Sequence, residues 1–255
     1  MSVTGKECQL QCDHCRGRYL KGMMPLRDPQ DLLRRASELS AAGASGLLLS
    51  GGCDPRGRVP LRTFLPAVRE IKRTTSLAVN LHPGLVSDQE AVEMASSGAD
   101  RISFDLTLDP VALRERMHLP TGPEEGRGAF RRLCQAAPGR VVPHVLLGLG
   151  EERYELEAIH LAKEEGAPCV VLLSLLGGPV PDWQGRLLRA VQVGVGAGVP
   201  VLLGCMRPRG LPGLEMRALE AGAAGVACPS PGLPREIEGR GWQAEWRREC
   251  CALHR

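Results

Sequence analysis

Eight short apolar runs, nearly all followed by a stretch long enough for a helix, run through the 255-residue chain and restrict its fold more than any other feature. Ser2-Val3-Thr4 reads as the end of a first strand. Gly46 to Ser50, Leu77 to His82, Arg101 to Leu106, Val141 to Gly148, Cys169 to Leu175, Val199 to Leu203 and Gly225 to Cys228 read as seven more. Helices are predicted over Gln30 to Ala42, Leu61 to Arg73, Asp88 to Ser97, Gly126 to Gln135, Glu152 to Glu165, Asp182 to Val195 and Leu214 to Ala221, with a helical piece over Pro110 to Met117. Asp28 is placed to cap the first helix and Gly43 to end it. Strands of this length separated by helices pair in parallel through right-handed crossovers. The expected fold is therefore α/β: a (β/α)8-like barrel, partial or splayed, over residues 1–228. Residues 229–255 form a tail over the barrel mouth. A doubly wound open sheet is the alternative. In barrels the chemistry gathers at the C-terminal ends of the strands.

The loop after the first run carries Cys8, Cys12 and Cys15 in the spacing Cys-x3-Cys-x2-Cys. Three thiolates within eight residues can grip one face of a four-iron cube, leaving the fourth iron without a protein ligand. Zinc is the competing reading, because it takes four ligands and His14 offers a fourth. His14 and Cys15 are adjacent, so binding one ion through both would strain the loop. Plain buried thiols are the third reading.

Composition narrows the function. A net charge of +3 and 3% aromatic residues argue against a nucleic-acid surface. No apolar run reaches membrane-spanning length. The cysteines begin at residue 8, so no export signal is expected before them, and ten cysteines in such a chain read as metal ligands rather than disulfides. The expected location is a reducing cytoplasm.

The predicted strand ends collect the remaining polar residues. Ser50-Gly51-Gly52-Cys53 follows the second run, and its glycines allow a ligand close to the backbone; a simple tight turn is the alternative. Asn80, Asp105 and His144 lie in three successive strands, where polar groups are costly unless paired. They read as contacts to a cofactor or substrate, or as satisfied structural groups. Gly148, Glu151 and Tyr154 follow with weaker signals. Gly204-Cys205-Met206-Arg207-Pro208-Arg209-Gly210 comes after the seventh run, and two arginines are expected to lower the Cys205 pKa. The tail carries Glu249-Cys250-Cys251-Ala252-Leu253-His254. Cys53, Cys205, Cys250 and Cys251 are together a candidate ligand set for a second cluster, with Cys228 in reserve. Cys134 and Cys169 are expected in the core.

The cysteine loop resembles that of the radical S-adenosylmethionine enzymes. His14 stands where many of them carry an aromatic ring, and Cys53 where many carry the glutamate of a Gly-Gly-Glu motif. The Ser2 to Gly5 stretch with the cysteine loop, Tyr19-Leu20, Ser50 to Cys53, Val142-Pro143-His144, Gly204 to Gly210 and Glu249 to Leu253 together resemble a biotin synthase-like branch, and within it a subunit of the two-component lipoyl synthases. The resemblance implies a radical S-adenosylmethionine barrel with a [4Fe-4S] cluster on Cys8, Cys12 and Cys15. It implies S-adenosylmethionine near Ser50, Gly51, Gly52, Asn80, Asp105 and His144. It also implies a 5′-deoxyadenosyl radical that abstracts hydrogen from an octanoyl chain, and an auxiliary cluster consumed as the sulfur source. The implied partners are a second radical subunit, an octanoylated lipoyl-carrier protein and a reductant such as ferredoxin or flavodoxin. Single-chain lipoyl synthases hold their second cluster on a close-spaced N-terminal cysteine group that is missing from this sequence. The competing functions are a biotin synthase-like enzyme with another substrate and a non-catalytic iron–sulfur carrier.

Overall fold

The computed structural model describes residues 1–176, 180, 182–209, 211 and 213–253. Its centre is one parallel sheet of seven strands paired in chain order: β1 (Gly46–Leu49), β2 (Ala78–Leu81), β3 (Arg101–Asp105), β4 (Val141–Leu147), β5 (Val170–Ser174), β6 (Val201–Leu203) and β7 (Gly225–Val226). Helices α1 (Pro29–Ala41), α2 (Leu65–Thr74), α3 (Asp88–Ala95), α4 (Pro123–Ala136), α5 (Glu152–Glu164), α6 (Trp183–Ala197) and α7 (Leu214–Glu220) make the crossovers, and α8 (Leu233–Gly239) follows β7. The sheet curls into a half-barrel, a partial form of the expected (β/α)8 barrel.

The expected first strand shrinks to a bridge. Ser2 pairs in parallel with Ser50 and with Pro25, and the Val3 N–H donates to Ser50 O at 2.8 Å. Pairing stops there because two hydroxyls pull the chain into a turn. Ser2 Oγ donates to Gly5 O (2.7 Å) and Thr4 Oγ1 to Glu7 O (2.9 Å), while Gly5 takes φ 62°.

Helix boundaries follow from local chemistry. The Asp28 carboxylate accepts from the Asp31 N–H at 2.8 Å, and Gly43 at φ 78° follows α1. Prolines in the first turns of α2 and α4, where a missing N–H costs nothing, place those starts at Leu65 and Pro123. The predicted 110–117 helix is instead a wide turn of π type, Ala112–Arg116. Its first turn is capped by Asp109 Oδ1, which accepts from Val111 N (2.8 Å) and Ala112 N (3.0 Å).

Alternation along the strands produces two apolar regions. Val141, Val170 and Val201 face the helices in the main core, with Ile71, Phe104, Phe130 and Val191. Each fully buried Leu, Ile or Phe there contributes roughly 1.5–3 kcal/mol. Their neighbours Val142, Val171 and Leu202 face the barrel interior, and with Cys169 they pack around Ala252 of the tail.

The tail thus closes on the barrel through its interior. Leu233 and Ile237 of α8 pack on Met216, an element absent from the sequence reading although Pro234 marks its first turn. Ser45 Oγ, just before β1, donates to Arg248 O at 2.6 Å, and a turn at Cys251–Leu253 then packs against β2 and β3. A cavity of about 430 Å³ lies between Glu249 and Leu253 of the tail and Ala78, Asp100, Arg101 and Arg140 at the strand starts. Among the described residues no helix is long and apolar enough to cross a membrane.

Candidate functional site

The cysteine loop is fastened to the C-terminal rim by backbone and side-chain contacts. The Gln9 N–H donates to Cys53 O (2.8 Å), the Asp13 N–H to Arg116 O (2.8 Å), and Cys12 Sγ to Met117 O (3.3 Å). His118 Nδ1 meets Leu10 O at 3.1 Å, and Leu10 is buried against Leu113 and Leu119. Three of these contacts come from the π turn and the residues just after it. π turns recur at functional sites because they aim backbone groups that an α-helix would keep to itself. The sequence reading missed this role; the signal was Asp109-Pro110, a cap followed by a turn residue.

Cys8, Cys12 and Cys15 are free, half-buried thiols. Burial, then the neighbouring charges of Cys8 and Cys15, push the Cys12 thiol up to about 12. Such crowding favours a cation between the thiols, since a bound metal deprotonates its thiol ligands. The loop lacks the spacing of a single ion. Among the described residues, the one group of three or more His, Cys, Asp or Glu donors whose ligand atoms all lie within 4.8 Å is His82, Asp105 and His144. Cys8, Cys12, Cys15 and His14 do not form such a group. His14 Nδ1 is buried without a hydrogen-bond partner, and burial lowers its pKa.

Gly51 and Gly52 lie under this loop. A Cβ on Gly52 would stand 2.0 Å from Glu7 O and 2.6 Å from Cys8 Cα. The Gly52 N–H donates to Thr4 Oγ1 at 2.7 Å, so Thr4 ties the rim to the loop with both its bonds. Thr4→Val keeps the shape and removes both. It is expected to cost about 1–2 kcal/mol in chemical denaturation and to lower iron loading. Unchanged stability and loading would show that the loop is held without Thr4.

Cys53 falls beside the loop. It packs with Leu10, Cys8 and Cys12, and burial followed by the Cys8 charge raises its pKa. The other three expected auxiliary ligands gather elsewhere. Cys250 and Cys251 enter the interior with the tail; Cys250 Sγ lies 4.0 Å from Asn80 Nδ2, and Cys205 at the end of β6 feels the charges of Cys250 and Cys228. The hydrogen bond between the Cys250 and Cys251 thiols works to lower Cys250 against the effect of burial and to raise Cys251.

The expected lowering of Cys205 by two arginines is corrected: burial raises it. Arg207 is turned away, buried against Glu215 and the carbonyls of Gly204, Ala227 and Cys228, while Arg209 Nη2 donates to Cys205 O at 3.3 Å. Gly210 and His254 lie outside the described residues. Cys134 and Cys169 are core residues, raised by burial to about 12 and about 11.

The polar strand residues pair across the interior. Asn80 Nδ2 donates to Ser103 Oγ (2.9 Å), and Ser103 Oγ returns a bond to Asn80 Oδ1 (3.1 Å). Ser50 Oγ donates to His82 O at 3.0 Å. His82 Nε2 stands 3.2 Å from Asp105 Oδ2, and His144 Nδ1 stands 3.7 Å from Asp105 Oδ1. Asp105 sits deep in the concave interior yet keeps 51% of its side-chain surface open. Burial works against its charge; His82 and His144 outweigh that and hold the carboxyl well below its ordinary value. Burial likewise works to lower the His82 imidazole, and Asp105 beside it raises it overall. Gly148 is tied to the buried Glu155 carboxylate (2.7 Å), which Arg186 also grips, so it shapes the rim. The Glu151 carboxylate and the Tyr154 hydroxyl each accept from Arg153, and the Tyr154 ring packs against the main core.

Neither a scan of protein-family models nor a search of characterised proteins produced a match. Solved structures do match. HydG, a maturase of the [FeFe]-hydrogenase, aligns over 94% of this chain and 62% of its own at 16% identity, with a TM-score of 0.66. Methylornithine synthase, PylB, aligns over 97% and 82% at 16% identity, with a TM-score of 0.64. Streptococcus suis SuiB bound to S-adenosylmethionine aligns over 77% and 45% at 14% identity, with a TM-score of 0.55. The chain therefore spans under two thirds of HydG and under half of SuiB, and at these identities the likeness establishes the shared half-barrel fold.

Proposed function

We propose that this chain is a radical S-adenosylmethionine enzyme and that its reaction inserts sulfur into an unactivated C–H bond, with a protein-bound octanoyl chain as substrate. The observation that carries the radical reading is the docked loop. Three free thiols, without single-ion spacing, sit on the C-terminal rim of a half-barrel against a Gly51-Gly52 cradle that admits no Cβ at Gly52. The fold matches that of a protein solved with S-adenosylmethionine bound.

When bound, the cluster and S-adenosylmethionine supply a 5′-deoxyadenosyl radical. The protein's part is placement. Cys8, Cys12 and Cys15 would hold three irons; Ser50, Gly51 and Gly52, against which the loop packs, would bring backbone close to the cofactor. Val142, Val171 and Leu202 exclude water below it. Sulfur insertion is supported by the second set of thiols in the interior. Cys205, Cys250 and Cys251 remain in that set, and Cys228 replaces Cys53 as the fourth. A second radical subunit, an octanoylated carrier protein and a ferredoxin or flavodoxin reductant complete the proposal.

The test is anaerobic reconstitution followed by dithionite and S-adenosylmethionine. Formation of 5′-deoxyadenosine is expected; none would leave an electron carrier. Octanoylated carrier peptide, with and without a partner subunit, should yield sulfur-containing product; radical turnover without it would point to another substrate. Iron should be about eight per chain, two cubes of four. Cys250→Ala should lower it to about four and keep deoxyadenosine formation while stopping sulfur insertion. Coupled turnover by that variant would remove Cys250 from the sulfur source.

A further inference from the structure

The His82–Asp105–His144 group belongs neither to the loop nor to the second thiol set; the resemblance implies S-adenosylmethionine near Asp105 and His144, and the three side chains together have the dimensions of a coordination site. Its three donors come from the end of β2 and from two strands in direct register, since Asp105 pairs with His144 across β3 and β4. Strand ends hold side chains more firmly than loops do. Donors at about 2.0–2.2 Å from an ion lie about 3–4 Å apart, and the two His–Asp separations are 3.2 and 3.7 Å. The histidine rings stand at 72° with centroids 5.5 Å apart, so they approach the carboxylate from different directions and do not stack.

One further observation points to a missing ligand. Asp105 keeps half of its side-chain surface open to the interior. An ion here retains free coordination positions on the side where substrate must lie.

We propose that His82, Asp105 and His144 bind one divalent first-row transition-metal ion, separate from both iron–sulfur sites. Two imidazoles and one carboxylate with open positions is the donor set preferred by Fe(II) and its neighbours. No thiolate joins the set: Cys250 Sγ does not fall within the 4.8 Å grouping. The ion would fix a heteroatom of the substrate in the interior and neutralise the Asp105 charge below the cluster loop. This assignment stands whether or not the chain inserts sulfur.

The test needs no turnover. The reconstituted full chain is dialysed anaerobically against Co²⁺, and bound cobalt is measured by elemental analysis. About one ion per chain is expected, with only nitrogen and oxygen neighbours in cobalt-edge X-ray absorption. Asp105→Asn, which keeps the shape, should weaken binding at least tenfold and lose the cobalt-dependent rise in Tm. His160→Ala, which removes an exposed histidine of α5 that has no role in any proposed site, should bind cobalt like the parent chain. No bound cobalt in the parent, sulfur neighbours around it, or undiminished binding in Asp105→Asn would each overturn the site. Because S-adenosylmethionine and reductant are left out, the result is independent of whether radical chemistry is found.

Discussion

Cys12→Ala is expected to bring 5′-deoxyadenosine formation to background and to remove about four irons per chain, the content of one cube. Cys12 is the middle thiol of the three and the one whose Sγ reaches across to Met117 O at 3.3 Å. The loop survives the change because its turn is made by backbone. Cys15 N and Arg16 N both donate to Cys12 O, at 2.9 and 2.8 Å, and alanine keeps that carbonyl. Thermal unfolding of the cluster-free variant should therefore match that of the cluster-free parent, while iron, visible absorption and deoxyadenosine fall together. Deoxyadenosine at the parental rate from this variant would refute the assignment of the loop to a radical cluster.

Gly52→Ala is expected to have nearly as large an effect through packing. The added carbon would lie 2.0 Å from Glu7 O and 2.6 Å from both Cys8 Cα and Cβ. These atoms belong to the loop itself and cannot swing aside. Either β1 releases the loop or Glu7 and Cys8 are driven outward. Overpacking against backbone costs about 3 kcal/mol or more, and the displaced Cys8 should leave the cluster unloaded even where the sheet still forms. Gly196→Ala is the control. It lies in α6 with nothing within 4 Å of its added carbon, so it should be neutral or stabilise by about 1 kcal/mol. Equal denaturation midpoints for Gly52→Ala and the parent would mean that the loop seats elsewhere.

Much of the architecture was legible because it rests on local chemistry. Apolar runs such as Val141 to Leu147 became strands within a residue or two of expectation, and Asp28 and Gly43 bounded α1 as their chemistry dictates. The exceptions have specific causes. Ser2 and Thr4 spend their hydroxyls on a turn, which reduces the first strand to a bridge. Asp109 caps a turn that then widens, so the following segment cradles the cysteine loop instead of forming an α-helix. By position in the chain alone, Arg207 is a neighbour able to activate Cys205. It is buried against Glu215, because a guanidinium carried inward must find a carboxylate.

The sequence alone determined the alternation of strands and helices, the three-cysteine loop and the glycines beneath it, since each depends on residues adjacent in the chain. Tertiary structure decided the company each side chain keeps. It seated Cys53 by the loop, brought Cys228 toward Cys205, carried Cys250 and Cys251 into the interior and set His82, Asp105 and His144 within reach of one another. Those meetings depend on the register between parallel strands and on which face each residue takes. A shift of one residue in strand register would turn Asp105 or His144 to the other side of the sheet.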